Sequence, residues 1–262
     1  MEISLLDPEF AYLFGFLQTD GCLSKSSKRK NEYFRLAVEI SARDTDLIEK
    51  IQKIWPVKSS VSSRTRNTNF CKNYKSICWS SCNQEIIKKL IEFGLPPGKK
   101  SEIISPPKEN FSEIDYYRGL IDGDGSLGFS SGKPFISLCT ASEKVAYGFI
   151  DFVNKFCCRV NSNPNRNKRD NVFNVQFSRH VAKSIIKVLY YEKCFSLERK
   201  MIKAKSVLLW EPEKRKDLWT EEEYKLLKEN TIESKSILLK RRTAEAIRKK
   251  FQIKFKNENI AL

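Results

Sequence analysis

The sequence predicts an α+β protein made of two copies of one α-β-β-α-β-β-α unit followed by a small helical domain. Three observations carry that expectation. The stretch from Tyr116 to Gly125 (YYRGLIDGDG) places an apolar helical turn before Asp-Gly-Asp-Gly. An upstream stretch from Leu13 to Gly21 (LFGFLQTDG) repeats its glycine, its apolar pair and its Asp-Gly, with Asp20 and Asp124 lying 104 positions apart. An internal repeat of this kind governs the architecture before any local reading does. Helical and strand periodicities then recur in the same order after each copy, and the composition changes at Glu211-Pro212-Glu213-Lys214-Arg215-Lys216, which reads as a linker.

In chain order, residues 7–18 read as a helix. Asp7 is placed to cap it and Pro8 takes the first helical position. Leu13, Phe14, Phe16 and Leu17 make it apolar on most sides, so it is expected to be buried. Gly15 inside it costs about 1 kcal/mol of helix propensity relative to alanine. A buried helix accepts that cost where another backbone comes close, and Gly119 holds the same place in the second copy. The expectation is a crossing of the two helices through Gly15 and Gly119 that brings Asp20 and Asp124 together.

Strand patterns follow at about 22–29 and 33–41. In the second, Leu36, Val38 and Ile40 alternate with Arg35, Ala37 and Glu39, the period of a half-buried strand. Residues 43–55 have helical spacing and stop at Pro56. Strands at about 57–66 and 70–80 and a helix at 83–93 complete the first half, residues 1–95. Residues 96–112, with Pro96-Pro97 and Pro106-Pro107, form a connector. The second half, 113–210, repeats the order: helix 113–121, strands 125–130 and 134–140, helix 142–156, strands 158–166 and 171–178, helix 180–191, and a terminal helix at 197–210. Ile86-Ile87-Lys88-Lys89-Leu90 is echoed by Ile185-Ile186-Lys187-Val188-Leu189. After the linker at 211–218 comes a helical region, 219–255.

Composition narrows the function. The chain has 262 residues and a formal charge of +16, which points to a polyanion, most often nucleic acid. No run of 18 apolar residues suggests a membrane span, and Met1-Glu2-Ile3-Ser4 lacks a signal-peptide pattern. Eight cysteines without a Cys-x-x-Cys pair read as free thiols of an intracellular, reducing compartment: an organelle matrix, a bacterial cytoplasm or a virus-infected cell. His180, the one histidine, lies at a strand-to-helix junction and reads as structural, so a Ser-His or Cys-His hydrolase is disfavoured. Chemistry would have to come from carboxylates and a metal.

Asp20 and Asp124 supply such carboxylates. An anion at a helix C-terminus is unfavourable by a few tenths to about 1 kcal/mol, and two carboxylates brought together repel further. A hard divalent cation with oxygen ligands relieves both and suits phosphodiester hydrolysis. A lone Asp-Gly is an ordinary helix-to-strand turn; two in matched context within a basic chain favour the metal site.

At these residues the chain resembles the LAGLIDADG homing endonucleases in their single-chain, two-motif form, over about residues 7–210. Arg118 to Gly125 is close to the family pattern. The first motif is looser, with Phe14 and Phe16 in place of smaller or aliphatic residues and Gln18 in place of the family's first Asp. The resemblance implies two pseudo-symmetric halves whose antiparallel sheets form a saddle on duplex DNA, with Asp20 and Asp124 as catalytic, metal-binding carboxylates. It implies Mg²⁺ as the cation, or another divalent metal, and one strand cut per active site. Carried over by motif position, it makes Lys100 and Lys200 the basic residues of the active sites. Each could equally be a surface lysine.

Base reading is expected on the polar sheet faces, since a two-stranded ribbon fits the major groove. Arg35 and Glu39 face away from Leu36, Val38 and Ile40. Asn174 and Gln176 face away from Phe173, Val175 and Phe177. Lys25, Lys28, Arg64, Arg66, Lys72, Arg166 and Lys168 are candidate phosphate or base contacts. In the tail, Trp219-Thr220-Glu221-Glu222-Glu223 and Arg242 to Lys250 resemble a Myb/SANT-like DNA-binding module. Its core would be Trp219, Leu227, Leu238, Ile247 and Phe251, with Arg242, Arg248 and Lys249 on or beside a recognition helix. A basic amphipathic tail is the plainer reading of the same residues.

The function expected is site-specific, double-strand DNA cleavage by a monomer at a long asymmetric target. An RNA-binding intron maturase, or a DNA-binding regulator without catalysis, are the alternatives on the same fold. RNA is a partner only under the maturase reading.

Overall fold

A computed structural model describes residues 3–25, 33–68, 71–157, 164–167, 169–212 and 219–255. The chain divides into two compact units, Met1–Glu211 and Pro212–Leu262. No helix among the described residues is long and apolar enough to cross a membrane.

The first unit opens with α1 (Pro8–Thr19). The Asp7 carboxylate accepts from Glu9 N at 2.9 Å and Phe10 N at 3.3 Å, and every residue from Ala11 to Gln18 is buried. Strands β1 (Gly21–Lys25), β2 (Phe34–Ser41), β3 (Ser60–Arg66) and β4 (Tyr74–Ser81) make an antiparallel sheet in the order β1-β2-β4-β3. A 3-10 turn at Ala42–Asp44 leads into α2 (Thr45–Ile54), and α3 (Gln84–Phe93) closes the half. The second half repeats this with α4 (Glu113–Asp124), β5 (Gly125–Ser130), β6 (Lys133–Thr140), α5 (Glu143–Phe156), β7 (Asn165–Asn167), β8 (Val172–Ser178) and α6 (Arg179–Leu189). Its sheet has the order β5-β6-β8-β7, and α7 (Glu198–Leu208) follows. This is the α+β architecture expected, with two four-stranded antiparallel sheets.

Each sheet buries one face. Leu23, Leu36, Val38 and Trp79 in one sheet, and Ile136, Leu138, Val175 and Phe177 in the other, join a single core with α1 and α4. The strand alternation follows the sequence pattern, with Arg35 exposed and Asn174 and Gln176 exposed between buried neighbours.

α1 and α4 pack backbone to backbone. A Cβ built on Gly15 would fall 2.3 Å from Tyr116 O, and one on Gly119 would fall 2.1 Å from Tyr12 O. Both distances are shorter than any real Cβ contact, so the glycines are required by close approach. The two contacts are reciprocal, as across a twofold axis.

Boundaries depart from expectation in instructive places. α4 runs to Asp124, not Ile121: Gly125 N–H caps Ile121 O, and a lysine from a distant segment holds the last carbonyls, so Asp-Gly-Asp stays helical. α7 begins after Leu197, its N-cap. β3 and β4 begin later than expected, at Ser60 and Tyr74. Much of the expected strand at 158–166 and the end of the one at 22–29 lie outside the described residues.

The second unit holds α8 (Glu221–Glu229), α9 (Ile232–Leu239) and α10 (Ala244–Phe255). Capping boxes start the first two: Thr220 with Glu223, and Thr231 with Ser234. Leu227, Leu238 and Ile247 are buried, and Trp219, Tyr224, Leu226 and Phe251 pack around them.

Candidate active site

The crossing of α1 and α4 sets the site. Asp20 is the C-cap residue of α1, its N–H bonded to Phe16 O at 3.0 Å, and Asp124 is the last residue of α4. Burial pushes the Asp20 carboxyl up to about 6, the Asp124 charge adds to the rise, and Lys200 and Lys100 oppose it. Burial also raises Asp124, against the same two lysines. The two acids therefore share one electrostatic environment, as the repeat implied.

Lys100 and Lys200 are not surface lysines. They are 9% and 4% exposed. Lys100 Nζ donates to Thr19 O at 2.7 Å, at the end of α1. Lys200 Nζ donates to Ile121 O, to Asp122 O at 2.8 Å and to Gly125 O at 2.9 Å, at the end of α4. Each ammonium thus sits at the negative end of a helix dipole. Burial lowers both, Lys200 to about 8, with the neighbouring carboxylates working the other way. All three Lys200 protons are committed to carbonyls.

Gly123 faces Thr19 across the crossing. A Cβ there would fall 1.9 Å from Thr19 Oγ1 and 2.9 Å from Asp20 Oδ2. A methyl at Gly123 would therefore collide with Thr19 and crowd the Asp20 carboxylate.

Among the described residues, no group of three or more His, Cys, Asp or Glu side chains could hold a metal. Two mutually repelling carboxylates fit a hard divalent cation that takes its other ligands from water and a phosphate, which is how Mg²⁺ is usually held.

A polar network that the sequence reading missed surrounds the site. Asp122 is buried and accepts from Tyr12 Oη at 2.7 Å, Tyr190 Oη at 2.6 Å and Leu197 N at 2.7 Å. Gln18, its counterpart in the first motif, accepts from Tyr116 Oη at 2.7 Å and donates to Gly94 O at 3.2 Å and Ser105 O at 3.0 Å. Arg118 is fully buried, bonding Phe195 O at 2.8 Å, Leu189 O at 2.9 Å and the Asp115 carboxylate. One signal was available: Tyr12 and Tyr116 stand at the same offset before Asp20 and Asp124.

The polar sheet face beside Asp20 carries a cavity of about 290 Å³ lined by Cys22, Arg35, Glu39, Arg64 and Cys78 among others. Glu39 accepts from Ser76 Oγ at 2.7 Å and pairs with Arg66 at 3.0 Å and Arg64 at 3.4 Å, both half exposed. Arg35 bonds Ser80 Oγ at 3.1 Å. Lys25 is exposed at the end of β1, and Lys72 is exposed in the turn between β3 and β4. In the second half, Asn174 and Gln176 lie on the exposed face of β8. Arg166 bonds Asn171 Oδ1 at 2.6 Å and lies over the Phe173 ring. Lys28 and Lys168 lie outside the described residues. His180 stacks edge-on to Trp210.

In the second unit, Arg248 and Lys249 are exposed on α10. Arg242 departs from expectation. Its guanidinium forms a paired hydrogen bond to Glu223, 2.9 Å each way, and lies 4.9 Å from the Trp219 ring centre. It holds the small core together rather than facing outward.

Residues 7–92 match the family model described as LAGLIDADG-like domain. No curated protein matches the chain. Among solved structures the chain is similar to the homing endonuclease I-WcaI bound to its DNA recognition sequence, at 16% identity over 78% of this chain and 88% of that one, with a TM-score of 0.52. I-SmaMI bound to an uncleaved DNA target with calcium ions matches at 14% identity over 78% and 91%, TM-score 0.49. I-GzeII in complex with its DNA target matches at 13% over 90% and 96%, TM-score 0.46. At 16% identity the I-WcaI match speaks to the fold: the first unit has the two-half LAGLIDADG architecture.

Proposed function

We propose that this chain, with a LAGLIDADG-like domain in its first half and the two-half fold in its first unit, is a metal-dependent, site-specific DNA endonuclease. The observation that carries the reading is the joint placement of Asp20, Asp124, Lys100 and Lys200 at one helix crossing, with each acid coupled to both lysines.

Asp20 and Asp124 would hold a divalent cation, Mg²⁺ or another, which when bound lowers the pKa of a water and stabilises charge on the phosphate. The chain's own residues do the rest. The two partly desolvated carboxylates, repelling each other, gain most when a cation arrives. Lys200 holds the end of α4 so that Asp124 stays at the site, and it places a fixed positive charge nearby. Lys100 does the same for Asp20 and has donors left over, among the described residues, for a phosphate oxygen. Hydrolysis adds water across one phosphodiester bond per strand, the attacking oxygen joining phosphorus as the leaving oxygen departs.

Double-stranded DNA is the partner we propose, on the polar sheet faces. Arg35, Glu39, Arg64 and Arg66 would read one half-site; Asn174 and Gln176 would read the other. Lys25, Lys28, Lys72, Arg166 and Lys168 would add contacts at the strand ends. The unequal faces imply an asymmetric site bound by one chain. The second unit would add a contact through Arg248 and Lys249, as a Myb/SANT-like module.

The test is cleavage of a plasmid library carrying randomised targets, with Mg²⁺ or with EDTA, by the wild type, Asp20→Asn and Asp124→Asn. Linear product that needs Mg²⁺ and falls to background in either variant is expected. Tight binding without any cut would overturn the nuclease reading and favour a regulator, or a maturase if RNA binds more tightly.

A further inference from the structure

Gln18 and Asp122 occupy one position of the repeat, and each is buried at 1% exposure. Each accepts a hydrogen bond from the tyrosine of the opposite half: Tyr12 reaches Asp122, and Tyr116 reaches Gln18, both at 2.7 Å. Each also grips the segment that carries its own half's lysine. Asp122 accepts from Leu197 N, the N-cap of α7, three residues before Lys200. Gln18 donates to Gly94 O and Ser105 O, which bracket Lys100. The halves anchor their lysine segments by opposite chemistry. A carboxylate takes an N–H in one, and an amide offers its own N–H groups in the other.

We propose that the two sites are cross-wired. Tyr12, from the first half, is a positioning residue for Lys200, and Tyr116, from the second, is a positioning residue for Lys100. The contact runs from tyrosine hydroxyl to Asp122 or Gln18, then to the backbone that presents the lysine. Neither tyrosine touches a reacting group. The wiring lets each half sense whether the other is seated, since the hydroxyl reaches its acceptor only while α1 and α4 are in contact through their glycines.

Two measurements test this. In the first, the full chain without DNA or metal is labelled with an amine-acylating reagent, and each lysine is followed by peptide mass spectrometry against the exposed lysines. Tyr12→Phe and Asp122→Asn should raise labelling at Lys200 alone. Tyr116→Phe and Gln18→Met should raise it at Lys100 alone. The expected rise is roughly two- to tenfold, the range a single lost hydrogen bond produces. A rise at both lysines together, at the lysine of the tyrosine's own half, or at neither, overturns the proposal.

The second measurement rests on the endonuclease reading. On end-labelled target, the first pair of variants should slow one strand and the second pair the other, leaving nicked product. Equal slowing of both strands overturns the wiring while leaving the nuclease reading intact. A wild type that never cuts sinks the nuclease reading, and the labelling experiment still decides the wiring.

Discussion

Asp20 carries an unusual burden for one side chain. Its carboxyl is raised to about 6, first by burial and then by Asp124. The folded chain therefore holds a proton that the unfolded chain has already released between pH 4 and 6, and folding stability falls as the pH rises through about 6. Asp20→Asn should stabilise the metal-free protein above pH 6, by less than the whole shift because solvent reaches this exposed residue and screens its charge, with the gain shrinking toward pH 4. Urea unfolding in EDTA across that pH range checks it, and equal stability of variant and wild type at pH 8 would mean the carboxylate is not strained. Functional sites often carry such a cost. The acid itself was legible because the repeat placed it twice. Lys100 and Lys200 were reachable only through a family resemblance: nothing in the local sequence tells a buried lysine from a solvated one. Tyr12, Tyr190 and Leu197 converge on Asp122 from 68 to 110 residues away, so that network appears only when the chain is folded.

At the scale of elements, the α1–α4 crossing decides stability. Gly15→Ala and Gly119→Ala each drive a methyl against a backbone carbonyl of a helix that has no rotamer by which to move aside. Overpacking of this kind costs about 1–3 kcal/mol or more, against a helix-propensity gain of about 1 kcal/mol. Both variants should be less stable than wild type in chemical denaturation, and Gly119→Ala, with the shorter contact, should be the worse. A variant as stable as wild type would show that the helices separate freely. The crossing was readable from two glycines set in apolar helical stretches. The end of α4 was not, because local preference at Asp-Gly-Asp-Gly favours a turn and the lysine that keeps it helical lies 75 to 79 residues away.

For the whole molecule, charge and division into units set the expectations. The net charge of +16 implies binding that weakens steeply with salt, by a slope of about 0.9 per phosphate contacted. Removing residues 212–262, the second compact unit, should weaken binding and flatten that slope while leaving cleavage at saturating protein, as a salt titration of binding with a parallel cleavage assay would show. Loss of all cutting would mean the second unit is needed for catalysis. The charge was plain from composition, whereas the turning inward of Arg242 depended on Glu223, 19 residues away in α8. The contact between Thr19 and Gly123 has a consequence for the design of such a chain. Interfaces built on a twofold axis repeat each contact, so a homodimer of the first half alone would set Thr19 against a second Thr19, in a space where even one added Cβ lies 1.9 Å from the hydroxyl. A homodimer of the second half would set glycine against glycine, and Tyr116 against Asp122, and would meet no such collision. The fused chain is therefore asymmetric at this contact: Thr19 is accommodated because the residue opposite it is glycine.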